Sequence, residues 1–119
     1  MSTTPYSEKV RHIHGCNIKI KNDRVTREQI RFTVVSKKLS ETQVEYKVAY
    51  CSPKDVFVKK TGIEVARNSD KIYTVDIRVG DTFRDVNFAI LADMVKNRED
   101  APKAHNEYLE DIFNNITNL

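Results

Sequence analysis

The sequence predicts an α+β domain: an antiparallel β-sheet with a short helix after the third strand and two C-terminal helices. Apolar and polar residues alternate along the first half of the chain, and one clear alternation, Val44, Tyr46, Val48 and Tyr50, stops at Pro53. The second half instead carries apolar residues at helical spacing. Because the strands precede the late helices rather than alternate with them, an antiparallel sheet is favoured over a parallel one.

Four strands are expected. After a loose leader at residues 1–10, the alternation of Ile18 and Ile20 predicts a first strand near 16–21. Asn22 and Asp23 are typical of a turn, and a second strand follows through 30–34. The third strand covers 43–51 and forms a hairpin with the second, and the fourth runs from 73 to 79, where Gly80 ends it.

Three helices complete the prediction. Pro53 has no N–H for a sheet ladder, so the third strand ends there and a helical segment at 56–67 begins, with Asp55 placed to accept free backbone N–H groups. Thr82 and Asp85 resemble a capping box for the second helix, and Pro102 fits the first turn of the last. The apolar positions expected on these helices are Phe57, Val58, Ile63, Val65 and Ala66, then Val86, Ile90, Leu91 and Met94, then Tyr108, Leu109, Ile112, Phe113 and Ile116.

Length and composition narrow the class of protein. A chain of 119 residues without repeats or linkers predicts a single domain over 1–119. It contains no run of about 18 apolar residues, which excludes a membrane span, and no apolar segment typical of a signal peptide near its N-terminus. Its two cysteines, Cys16 and Cys51, give no disulfide framework. We therefore expect a cytoplasmic protein with reduced thiols.

Charge is distributed unevenly. Residues 1–67 carry 14 Lys and Arg against 7 Asp and Glu, whereas residues 68–119 carry 6 against 10. This asymmetry fits an electropositive site for a phosphate-bearing ligand, and it fits equally head-to-tail complementarity between copies or a solvated surface. The balance is too mild to predict binding to a nucleic-acid polymer.

The sequence shows no catalytic motif. His12, His14 and Cys16 share one face of an extended strand, but three ligands from one short strand cannot surround a tetrahedral zinc ion without bending. Cys51 has no histidine partner to activate it, so a structural thiol is favoured over a nucleophile. We expect a binding protein without metal or cofactor, rather than an enzyme.

Two groups of residues suit a ligand. The end of the third strand brings backbone N–H groups toward Lys59, Lys60 and Arg67, an arrangement that suits an anion. At the start of the second helix lie an aromatic ring, a guanidinium and an amide. Together these can stack on a base, pair with a phosphate and read a base edge. The residues of this second group are Phe83, Arg84 and Asn87.

The second group also has a structural interpretation, in which Phe83 staples the helix start while Arg84 points to solvent. The two late helices carry more aromatic side chains than one sheet face needs. These residues serve either the core or a subunit interface, where aromatic side chains are enriched. They are Phe83, Phe88, Tyr108 and Phe113.

A motif of the form Cys-x-Pro-x-Asp-x-Phe-x4-Gly-x3-Ala covers 16 residues. It consists of Cys51, Pro53, Asp55, Phe57, Gly62 and Ala66. This spacing resembles a motif of small phage-encoded proteins. The chain length and the order of strands followed by two helices are similar to those of the phage anti-Thoeris sponge family, whose members bind cyclic ADP-ribose signals and hold them without cleavage.

The resemblance implies further properties. Family members assemble as dimers or trimers of dimers, bind the signal at a subunit interface, and in some cases take up cyclic oligonucleotides at a separate site. By residue type, it implies Phe83 stacked on adenine and Asn87 on a ribose or base edge. The arginines implied for the pyrophosphate are Arg67, Arg84 and Arg98.

Two other functions remain open. One is a phage inhibitor that binds a host protein, which would present an exposed apolar patch. The other is a single-stranded nucleic-acid-binding protein, which would need a basic groove with successive exposed aromatic residues.

Overall fold

The computed structural model describes residues 8–117, with side chains through residue 115. It confirms the predicted α+β class: one antiparallel sheet in the order β1-β2-β3-β4, a helix after β3, and two C-terminal helices. The elements are β1 Lys9–Lys21, β2 Arg24–Ser40, β3 Gln43–Cys51, α1 Lys59–Arg67, β4 Tyr73–Asp76, α2 Phe83–Lys96 and α3 Lys103–Thr117, with a 3-10 turn at Arg98–Asp100 between the last two. Among the described residues, no helix is long and apolar enough to cross a bilayer.

The β1–β2 hairpin is longer than the sequence indicated. It pairs continuously from Lys9 opposite Ser36 to Lys21 opposite Arg24. Strand β1 therefore begins inside the segment expected to be a leader, of which residues 1–7 lie outside the described residues. Asn22 and Asp23 both have positive φ, 52° and 62°, as a two-residue hairpin turn requires. Lys, Arg and His outnumber apolar residues in the first half of β1, and pairing with β2 makes that half a strand despite its weak alternation.

Other boundaries differ locally. Strand β4 stops at Asp76, earlier than predicted, although Ile77 stays buried and donates its N–H to the Thr42 carbonyl at 2.9 Å. Helix α1 begins at Lys59 rather than at 56. The capping box of α2 is confirmed, because Thr82 and Asp85 exchange side-chain-to-backbone hydrogen bonds of 3.2 and 2.9 Å.

Strand β2 is buried on both faces. On one face, Ile30, Phe32 and Val34 join the main core against α2 and α3. On the other face, Val35 packs with Ala49 of β3 and Ala66 of α1. The sheet thus lies between α1 on one side and α2 with α3 on the other.

Most of the residues predicted to form the apolar side of α1 are not buried. Only Ala66 is buried, Phe57 and Ile63 are half-buried, and Val58 and Val65 are exposed. The cause is that α1 packs on the sheet through a narrow strip that contains its small residues Gly62 and Ala66.

Three of the four late aromatic side chains lie outside the core. Phe83 is 55% exposed, Phe88 is 64% exposed, and Phe113 is also exposed. Tyr108 instead packs against the core and approaches Gly15 so closely that a Cβ at Gly15 would lie 2.3 Å from its ring.

A partly buried hydrogen bond joins the sheet to α2. The Tyr46 hydroxyl donates to Asp93 Oδ2 at 2.6 Å, and Asn97 Nδ2 donates to the same oxygen at 3.1 Å. Burial, and then the hydrogen bond to Asp93, raise the pKa of Tyr46 well above its usual range. The hydroxyl therefore remains a donor at physiological pH.

We expect Tyr46→Phe to lower the free energy of unfolding by about 1–2 kcal/mol, because a charge-assisted, partly buried hydrogen bond is lost while the ring still fills its site. Urea unfolding measures the change. Tyr73→Phe is the matched control, because the Tyr73 hydroxyl donates to Asp100 at 2.9 Å in an exposed setting, and its loss should cost less. Equal effects of the two substitutions would contradict this ranking.

A buried histidine makes stability depend on pH. His105 donates from Nε2 to the Arg31 carbonyl at 3.2 Å and packs between the rings of Phe32 and Tyr50. Burial lowers the pKa of His105, although the Arg31 carbonyl opposes the shift. Below about pH 6.5, the ordinary value for histidine, the unfolded chain thus binds more protons than the folded one.

We expect the free energy of unfolding to fall as the pH falls from about 7.5 to 5.5, by the linkage between proton binding and stability. The His105→Gln variant should show a shallower dependence over that window in urea unfolding. Burial also lowers the pKa of His12, so His12→Gln is the comparison and should flatten the curve less because His12 is less buried. A slope unchanged by His105→Gln would contradict the assignment.

Candidate functional site

A shallow groove runs along the start of α2 and has a volume of about 390 Å³. We call it the α2 groove. Its lining residues are Arg11, Phe83, Arg84, Asn87, Phe88 and Leu91. It therefore brings together three of the predicted ligand residues, Phe83, Arg84 and Asn87, beside the first half of β1.

The start of α2 is held by its connection to β4. Gly80 has a φ of 87°, which makes the tight turn possible, and the Arg78 N–H donates to Asp81 Oδ2 at 2.8 Å. The capping box of Thr82 follows directly. Phe83 is the first residue of the helix, so these bonds fix where its ring meets the groove.

Strand β1 contributes cations that the sequence analysis missed. Lys9 and Arg11 lie on the same sheet face as Gly15, the face that α2 and α3 cover. Lys9 Nζ lies 6.0 Å from the centroid of the Phe83 ring. The only sequence signal for these residues is their two-residue spacing, and it becomes informative only once the segment is known to be a strand.

Several charged and polar side chains at the groove are available to contact a ligand. Within residues 8–117, Lys9, Arg11 and Arg84 form no ion pair, and the half-buried amide of Asn87 makes no side-chain hydrogen bond. The nearby carboxylate of Asp85 is held by Thr82, whose backbone N–H lowers the pKa of Asp85. Cations next to an exposed aromatic ring are suited to an anionic ligand with a planar base.

Arg67 and Arg98, the other two predicted ligand residues, lie outside this groove. Arg67 donates from Nε and Nη2 to Glu8 Oε1 at 2.9 and 2.5 Å. Arg98 stacks on Phe113 with 4.8 Å between the guanidinium carbon and the ring centroid, and Nη1 donates to the Val95 carbonyl. Both side chains thus have partners within one subunit.

The anion site expected at the end of β3 does not form as predicted. Asp55 does not cap α1, whose N-cap is Val58 without a side-chain hydrogen bond. Ser52 takes over the local turn instead, because its Oγ accepts from the Lys54 N–H and its carbonyl accepts from the Asp55 N–H. Lys59 and Arg67 stand at opposite ends of α1, about 12 Å apart along a helix with a rise of 1.5 Å per residue. The cations therefore do not converge.

Phe57 turns back onto the sheet. Its ring makes edge contacts with His12 at 5.4 Å and His14 at 5.2 Å, and the Arg31 guanidinium lies 5.9 Å from its centroid. Cys16 is exposed on the same face of β1, and Cys51 is half-buried. In the described chain, no three His, Cys, Asp or Glu side chains are grouped closely enough to hold a metal.

Gly62 allows α1 to approach β2. A Cβ at Gly62 would lie 2.4 Å from Thr33 Oγ1, which is buried and lies 3.0 Å from His12 Nδ1 in a hydrogen bond. The glycine of the motif is therefore a packing residue, and its place in a helix is explained by the close backbone contact.

We expect Gly62→Ala to destabilise the fold by about 1–3 kcal/mol, because overpacking against Thr33 outweighs the gain of about 1 kcal/mol in helix propensity. In a Thr33→Ala background the 2.4 Å approach to Oγ1 is removed and only a 3.2 Å approach to the Cβ of residue 33 remains, so the same substitution should destabilise the fold less. A double-mutant cycle by urea unfolding measures this coupling. Additive effects would show that Thr33 is not what confines Gly62.

Comparison of the chain with known proteins found no match. No protein-family model, no curated protein and no solved structure matches the chain. The geometry of the α2 groove alone therefore identifies it as a candidate site.

Proposed function

We propose that this protein binds and sequesters a cyclic nucleotide immune messenger, of the cyclic ADP-ribose type or a cyclic oligonucleotide, without cleaving it. In this proposal it is a phage immune-evasion protein acting in the cytoplasm of an infected bacterium. The observation that carries the proposal is the α2 groove, in which the exposed Phe83 ring lies among cations that form no salt bridge within residues 8–117. The motif around Cys51 and Gly62, with its resemblance to the anti-Thoeris sponge family, supplies the ligand class.

The groove offers each kind of contact that such a messenger needs. Phe83 provides a flat apolar surface for the base, and stacking on it is worth about 1–3 kcal/mol. Arg84, with Lys9 and Arg11 from β1, provides charge for the phosphates. The amide of Asn87 can donate and accept a hydrogen bond with a ribose or a base edge. A volume of about 390 Å³ falls within the range of small-molecule sites.

Tight capture of the ligand requires a second subunit. The groove is open on its outer side, with Phe83 55% and Phe88 64% exposed. A homodimer or trimer of dimers would cover these rings and exclude water from the ligand, which strengthens its charged hydrogen bonds. Arg67 and Arg98 can then join the site only from a neighbouring subunit, after exchanging their present partners.

Binding without cleavage is consistent with the chemistry of the lining residues. The six side chains that line the groove include no carboxylate, histidine, cysteine or hydroxyl group. Guanidinium and amide side chains suit binding, because they hold phosphates and base edges through hydrogen bonds.

The direct test is release of bound ligand. The purified protein is incubated with extract from bacteria whose nucleotide-based immune signalling is active, washed, and heated, and the supernatant is analysed by mass spectrometry. We expect an intact cyclic nucleotide at about one per subunit. A cleaved nucleotide would indicate an enzyme instead, and the absence of any nucleotide would reject sequestration.

Variants locate the site. Phe83→Ala with Arg84→Ala removes one stacking and one charged contact, so affinity for the released nucleotide should fall by about 100-fold or more in titration calorimetry. Ile20→Ala with Arg24→Ala, which removes an exposed apolar and a cationic residue at the hairpin tip, is the matched control and should bind normally. Arg67→Ala and Arg98→Ala test a contribution from the neighbouring subunit. Full binding by the Phe83 and Arg84 double variant would place the site elsewhere.

A further inference from the structure

The β1–β2 hairpin projects beyond the rest of the sheet. Strand β3 pairs with β2 only as far as Cys51 opposite Arg31, so residues 16–29 continue as a two-stranded ribbon. We call this ribbon the hairpin arm. Helix α3 covers one of its faces, where Asn17 Nδ2 donates to the Ala104 carbonyl at 2.9 Å. The opposite face of the arm points to the α1 side of the sheet.

The α1 side of the hairpin arm is apolar and exposed. Side chains alternate along a strand, and the even-numbered residues of β1 share the face of His12, which bonds to Thr33 beneath α1. Three aliphatic side chains of the arm lie on this face, and each is 63–75% exposed. They are Ile18, Ile20 and Val25.

One cation accompanies these aliphatic side chains. Arg27 lies opposite Ile18, and among the paired residues of the arm it is the one charged side chain on this face. It is exposed, and it forms no salt bridge within residues 8–117. A partner for this surface therefore needs an apolar recess with a carboxylate.

Such a recess lies on the same face of the sheet. A pocket of about 420 Å³, which we call the α1 pocket, extends from the end of β3 to one side of α1. Asp55 is the one charged residue that lines it, and Asp55 forms no salt bridge in the described chain. The exposed aliphatic residues of the α1 pocket are Val56, Val58 and Val65.

The positions of the two surfaces suit a two-fold axis. An open depression lined by Gln29 of the arm and by Asp55 of the α1 pocket connects them. A rotation of 180° about an axis across this depression lays the arm of one copy on the α1 pocket of another, and the reverse contact forms at the same time. Such an isologous arrangement is the commonest form of homodimer.

We propose that two copies of this chain dimerise through their α1 sides. The hairpin arm of each copy fills the α1 pocket of the other, and Arg27 pairs with the partner's Asp55. Each apolar surface with a single charge thereby meets an apolar surface with a single opposite charge. The α2 groove lies on the opposite face of the sheet, so this dimer is independent of nucleotide binding.

The exposed apolar area is sufficient for a dimer. The six aliphatic residues of the arm and the α1 pocket are each 50–87% exposed, which together equals about four whole side chains. Burial of one such side chain removes roughly 60–120 Å² from water, so each subunit would bury about 240–480 Å² of apolar surface. A standard interface of about 800 Å² per partner, somewhat more than half apolar, needs about 450 Å².

The first test is sedimentation velocity of the full-length protein over a range of concentrations without nucleotide. We expect an assembly of at least twice the 13.8 kDa of one chain. Ile20→Glu places a charge in both copies of the apolar contact and should weaken association at least tenfold. Val79→Glu is the matched control, because it adds the same charge at a position that is 71% exposed and borders neither surface, and it should associate normally.

A charge exchange tests the pairing of Arg27 with Asp55. Arg27→Glu and Asp55→Arg each bring like charges together, so each variant alone should associate at least tenfold more weakly. An equal mixture of the two variants should recover association to within about threefold, since both contacts of the mixed dimer then join opposite charges. The mixture also controls for folding, because a misfolded variant would not be rescued by its partner.

Three outcomes would overturn the proposal: a monomer at every concentration, association unaffected by Ile20→Glu, or no recovery when the two charge variants are mixed. An assembly that survives Ile20→Glu would use another surface, such as the α2 groove. That result would reject the α1-side dimer and leave the proposed nucleotide binding intact.

Discussion

Strand β2 carries apolar side chains toward both layers of helix, and the other elements take their places from it. Phe32 lies in the core against His105 and Tyr108 of α3, while Thr33, one residue on, meets Gly62 of α1 on the opposite face. Because side chains alternate along a strand, a shift of one residue in the register of β2 would exchange these two surfaces. The double burial of β2 thus sets where each helix lies relative to β1 and β3.

The α2 groove and the free end of β3 lie on opposite sides of that sheet. At one edge, β1 supplies Lys9 and Arg11 to the α2 groove, where the Phe83 ring is exposed. At the other edge, β3 extends past its pairing with β4 and leaves backbone groups between two pockets.

The order and type of the elements were predictable because local rules decide them. The capping box of Thr82 and Asp85, the turn at Asn22 and the stop at Pro53 act over a few residues, and the sequence contains every residue involved. Boundaries that depend on a distant partner were not predictable. Strand β1 begins at Lys9 because Ser36, far along the chain, pairs with it.

By itself, the sequence determined the α+β class, the hairpin, the capped helix and the grouping of Phe83, Arg84 and Asn87 on one helical turn. Tertiary structure alone decided that Arg11 joins this group. It also decided that Arg67 bonds to Glu8 and Arg98 stacks on Phe113, and that β3 extends past the end of its pairing with β4. The physical reason is the range of the interactions. Capping, turns and helical spacing act within about four residues, whereas a groove or a free strand edge exists only after segments far apart in the chain have packed together.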